Sequence, residues 1–105
     1  MKKYGLEEEE WKKVFTVFSH YPHIEQAVLF GSRAKGCNKP FSDVDIALMG
    51  QNLRFDDLLS LKIEIDDLLL PYEFDFCIYK NLVNTEIKDH IDRRGIEVYQ
   101  SSRKA

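Results

Sequence analysis

A mixed α/β (α+β) domain, with a small sheet and helices mainly on one of its faces, is the fold class that three patterns in this 105-residue sequence predict. Two segments carry apolar residues at helical spacing. Short runs rich in Val, Ile, Phe and Tyr lie between them, and two of these runs alternate acid with apolar residues. Turn-forming residues separate the segments, so helices and strands interleave along the chain.

Trp11, Val14, Phe15 and Phe18 recur at i, i+3, i+4 and i+7, which predicts an amphipathic helix from residue 7 to about residue 20. Its acidic start suits the positive end of the helix dipole, and Pro22 helps to end it. Residues 25–30 read as a strand running into Gly31-Ser32, after which Arg33-Ala34-Lys35 can begin a helical turn. Residues 36–40 form a polar loop. Asp43 and Asp45 then stand two apart in a strand-like run, where alternation sends both carboxylates to one face and Val44, Ile46 and Leu48 to the other.

Gly50-Gln51-Asn52 marks a loop. Leu58, Leu61, Ile65, Leu68 and Leu69 define the apolar face of a second helix, capped near Asp56 or Asp57 and stopped before Pro71. In residues 72–79, Glu73, Asp75 and Cys77 share one strand face and Phe74, Phe76 and Ile78 the other. Asn84 or Thr85 can cap a short helix through Arg94, with Gly95 as its C′ residue. Residues 96–99 close the sheet.

The chemistry lies in Phe30-Gly31-Ser32-Arg33-Ala34-Lys35-Gly36 and in Ser42-Asp43-Val44-Asp45. Free N–H groups after Gly31-Ser32 can face an anion. Two carboxylates as close as Asp43 and Asp45 repel one another unless a cation sits between them. Mg²⁺ removes that conflict, and it takes one or two carboxylates together with substrate phosphates and water. Pairing the 72–79 strand beside the first acidic strand buries both apolar rows and brings Asp75 to Asp43 and Asp45. Asp75 can then ligate a metal and accept a proton from an attacking hydroxyl, while Asp43 and Asp45 bridge two metals.

Gly31-Ser32, the ten positions 33 to 42, Asp43-Val44-Asp45 and the later Asp75 resemble the DNA polymerase β-like nucleotidyltransferases, in particular their small MNT-type members. The resemblance covers nearly the whole chain. It implies nucleotide binding by Gly31, Ser32 and Arg33, metal binding and catalysis by Asp43, Asp45 and Asp75, two Mg²⁺ ions, and ATP as substrate. Lys35 stands where many relatives have Arg, and offers a compact charge in place of a bidentate fork. The resemblance further implies a helical HEPN-domain partner, an RNase toxin silenced by AMP added to a tyrosine. Two alternatives stand beside this: a contact-only module that masks its partner, and a nucleotidyltransferase for small molecules.

Composition sets the remaining bounds. With 44% hydrophobic and 31% charged residues the chain suits one compact domain over residues 1–100, with 101–105 as a frayed tail. A net charge of −3 argues against binding long nucleic acid. Cys37 and Cys77 lack zinc-type spacing and read as two reduced thiols. No apolar leader follows Met1-Lys2-Lys3, and no apolar cluster is long enough to span a bilayer, so a cytoplasmic protein is expected, with homo-oligomerisation open. His20, His23 and His90 lack metal-ligand spacing and read as solvated or capping residues.

Overall fold

The computed structural model describes residues 2–36 and 42–101. Its elements are β1 (Lys2–Lys3), β2 (Leu6–Glu7), α1 (Glu8–Phe18), β3 (Gln26–Phe30), α2 (Ser32–Lys35), β4 (Val44–Met49), α3 (Phe55–Asp66), β5 (Phe74–Ile78), a 3-10 turn (Tyr79–Asn81), α4 (Thr85–Arg94) and β6 (Ile96–Gln100). The main sheet has the order β5-β4-β3-β6. β3 runs antiparallel to both neighbours, whereas β4 and β5 are parallel because α3 carries the chain back between them.

The alternation read from the sequence decides which side of the sheet is buried. Val44, Ile46 and Leu48 are 0% exposed and pack with Ala27, Leu29, Phe74 and Ile78 against Trp11, Val14, Val17 and Phe18 of α1 and Leu61 and Ile65 of α3. The opposite face carries a smaller cluster, in which Ile91 of α4 covers Val28 and Ala47. Thus α1 and α3 share one face as expected, and α4 lies across the acid-bearing one.

Glu10 accepts the Glu7 N–H at 2.8 Å at the start of α1, and Asp57 accepts the Arg54 N–H at 3.0 Å at the start of α3. Asp57 therefore caps from the third helical position. Asn84 caps α4 by accepting the Glu86 and Ile87 N–H groups at 2.9 and 3.1 Å.

Four local features depart from the expected layout. Tyr4 and Gly5, at φ +53° and +89°, turn β1 back onto β2 in a two-residue hairpin. Leu69 leaves the α3 face, with φ +58° and 87% exposure, because the helix has already ended at Asp66. Gly95 has an ordinary φ of −66° and is no left-handed cap. Close approach demands its glycine: a Cβ there would collide with the Ile91 carbonyl oxygen and Val28 Cγ1. A bulge between Ala27 and Val28 shifts the β3–β6 register.

No helix among the described residues is long and apolar enough to cross a membrane. Cys77 is a half-buried free thiol. Cys37, most of the loop read at 36–40, and residues 102–105 lie outside the described residues.

Candidate active site

Strand register assembles the site. Phe30, the last residue of β3, stands opposite Asp45, and Asp45 stands opposite Asp75 in the parallel β4–β5 pair. Adjacent strands lie about 4.8 Å apart, so Asp45 and Asp75 emerge side by side from the same face, with Gly31 beginning just beyond Phe30. The side chains behind them, Ile46 and Phe74, are 0% and 2% exposed, which prevents a one-residue slip from turning the acids inward.

Gly31 is held close against Asp45. Its φ of +81° and ψ of −156° belong to a region open almost solely to glycine, and a Cβ there would overlap Asp45 Oδ2. Asp43 precedes β4 and is exposed, as is Asp75; Asp45 is half-buried between them. Burial first, then the charges of Asp75 and Asp43, hold the Asp45 carboxyl above the usual carboxylate range, while Arg33 pulls it the other way.

Glu73, which shares Asp75's alternation, is drawn off by Lys62 at 2.8 Å. Ser42 Oγ is buried with no hydrogen-bond partner among the described residues. The Cys77 thiol is pushed up to about 11, chiefly by burial and then by Asp45 and Asp75.

Arg33, expected beside a phosphate, points inward and is 2% exposed. Its guanidinium donates to the carbonyl oxygens of Tyr4 at 2.8 Å, Ser42 at 2.6 Å and Asp43 at 3.3 Å, and lies 5.1 Å from the Tyr72 ring centroid. Burial pulls its pKa down, with Tyr72, Asp43 and Asp45 acting against that. A guanidinium spread over three carbonyls ties the N-terminal hairpin, α2 and the approach to β4 together.

His90, read from the sequence as a solvated or capping residue, reaches the site from α4. The Gly31 N–H donates to its Nε2 at 3.1 Å, and its ring meets Phe30 edge-on at 6.1 Å. The only sequence signal is its place between Ile87 and Ile91 on the helix that covers the sheet.

Among the described residues, no three of His, Cys, Asp or Glu stand close enough to hold a metal ion by themselves. The donor set nonetheless suits Mg²⁺. Two exposed carboxylates flank one whose ionisation is opposed by both, so a hard cation would relieve the repulsion while taking its other ligands from phosphates and water. A groove of about 390 Å³ between β1, α1 and β6, lined by Tyr4, Trp11, Phe15 and Val98, contains none of these acids.

The family model for polymerase beta nucleotidyltransferases matches residues 12–104. A relative from Methanocaldococcus jannaschii, named "Putative protein adenylyltransferase MJ0435", is 33% identical over 76 residues, spanning 71% of this chain and 80% of its own length. A chain in the crystal structure of a toxin–antitoxin with AMP-PNP superposes with TM-score 0.70 at 19% identity, covering 88% of this chain and 74% of its own. A chain in the complex of a tri-AMPylated Shewanella oneidensis HEPN toxin with its MNT antitoxin gives TM-score 0.65 at 17% identity, covering 89% and 71%. At these identities the superpositions establish the fold.

Proposed function

The chain belongs to the polymerase beta nucleotidyltransferase family, and from that membership we propose that it transfers AMP from ATP to a tyrosine hydroxyl of a HEPN-type partner protein, in an antitoxin role. The observation that carries this reading is the register that sets Asp45 between Asp75 and the Gly31-Ser32 turn. The adenylyltransferase name of the archaeal relative, and the toxin complexes among the structures similar to this chain, support the transferred group and the partner.

In this reading Gly31 and Ser32 receive the triphosphate, at a turn held so close to the acidic strand that a Cβ at position 31 would overlap Asp45 Oδ2. Arg33 acts from behind, as the pin that keeps Ser42 and Asp43 beside that turn. Asp75, exposed at the sheet face, takes the proton of the acceptor hydroxyl. The acceptor oxygen forms a bond to the α-phosphorus, the bond from that phosphorus to the bridging oxygen breaks, and pyrophosphate leaves. Asp43, Asp45 and Asp75 are the residues that would hold Mg²⁺, whose contribution is to neutralise charge on the phosphate oxygens. Most of the rate then comes from alignment of the reactants. A cytoplasmic setting suits a reaction supplied by ATP and a free Cys77 thiol.

Contact-only masking of the partner is the second reading, favoured by the apolar side chains of Phe55, Leu59 and Ile63 that α3 leaves exposed. Intact-mass measurement of a co-expressed HEPN partner separates the two. AMP-sized mass gains with the wild-type chain, lost with Asp43→Asn, support transfer; a stable complex with no mass gain in either case supports masking.

A further inference from the structure

We infer that His90 is a positioning residue for nucleotide binding: its imidazole grips the Gly31 amide and thereby sets the orientation of the Gly31-Ser32 turn. This inference rests on the reading of that turn as the nucleotide site. The Gly31 N–H donates to Nε2 at 3.1 Å, so that nitrogen carries no proton in this bond and the ring is the Nδ1–H tautomer.

The imidazole is itself held in place. Ile91, the next residue on α4, is 3% exposed against Val28 and Ala47, and the close approach at Gly95 seats the end of the helix on β3. The edge-on contact with Phe30 fixes the plane of the ring. Packing on the sheet, and not a flexible surface rotamer, therefore decides where Nε2 points.

Gly31 is the residue at which such a grip has most effect. Glycine in this conformation has wide backbone freedom, and its neighbours must over-determine the geometry if one orientation is to persist. Its carbonyl accepts the Lys35 N–H at 3.2 Å and its N–H is taken by His90, so both sides of the residue are fixed. Without His90 the Phe30–Gly31 peptide plane can rotate, and Ser32 turns with it. Asp45 and Asp75 do not depend on this bond, because the β3–β4–β5 ladder places them. The loss therefore falls on nucleotide affinity.

The test uses the full chain with AMP-PNP and Mg²⁺ in calorimetry, and ¹⁵N spectra before nucleotide is added. His90→Ala should weaken AMP-PNP binding about five- to tenfold, the worth of one hydrogen bond, and the Gly31 amide should lose its protection from exchange. His90→Gln, whose side-chain carbonyl can take the place of Nε2, should restore most of both. In the wild type, His90 should report the Nδ1–H tautomer, a reading that needs no variant to fold. Unchanged or tighter nucleotide binding by His90→Ala, a Gly31 amide that stays protected in it, or an Nε2–H tautomer in the wild type would overturn the inference. A wild-type chain that shows the tautomer and the protected amide but binds no AMP-PNP would bring down the site reading, and this inference with it.

Discussion

Gly31 and Asp45 meet so closely that the hydrogen on the glycine Cα is the only substituent the space allows: a Cβ would overlap Asp45 Oδ2. The contact couples the turn to the acidic strand, since a residue that pushes one away displaces the other.

Gly31→Ala should fail on two counts. The positive φ costs about 1–3 kcal/mol for a residue with a Cβ, and the overlap displaces the Asp45 carboxylate. We expect a melting temperature lower by several degrees in thermal unfolding, with AMP transfer reduced by roughly a hundredfold or more in the folded protein.

Asp45→Asn should separate stability from function. The folded carboxyl has a raised pKa, so between the unfolded value and that raised value the folded state binds more protons, and stability falls as pH rises through the window. The neutral amide removes this penalty. Metal-free Asp45→Asn should melt above wild type at neutral pH, lose most of that advantage in acid, and be stabilised less by Mg²⁺. Thermal melts across pH, with and without Mg²⁺, measure this.

Arg33→Lys tests the pin. A single ammonium cannot reach the carbonyls of Tyr4, Ser42 and Asp43 together, and buried acceptors left unpaired cost about 2 kcal/mol or more. The variant should lose that stability in denaturant unfolding with no nucleotide present. A phosphate ligand would instead leave the ligand-free protein unchanged and weaken only nucleotide binding.

Cys77 should resist alkylation. With its thiol pushed up to about 11, only about one part in a thousand is thiolate at pH 8, so labelling should proceed hundreds of times slower than for a small thiol. Peptide mapping after timed iodoacetamide treatment reads Cys77 separately from Cys37.

The acid-bearing strands were legible because one face of each had to be buried. Val44, Ile46, Leu48, Phe74 and Ile78 fix the register, and the register places Asp45 beside Asp75. The hairpin at Tyr4-Gly5 was not legible, since Lys2 and Lys3 are exposed and two-residue strands carry no alternation. The inward turn of Arg33 was not legible for the same reason, as one of its carbonyl partners lies in that hairpin. The grip of His90 on Gly31 spans 59 positions and depends on which face of the sheet receives α4, which local spacing leaves open. Gly95 shows the same limit, because its partner Val28 belongs to a distant strand.

Transfer from α-labelled and γ-labelled ATP to a purified HEPN-type partner shows which part of the nucleotide, if any, the protein moves. The α-label should stay on a partner tyrosine, the γ-label should leave in pyrophosphate, and Asp45→Asn should transfer neither. Label on the partner from γ-labelled ATP, or no label from either nucleotide with the wild-type chain, would contradict AMP transfer.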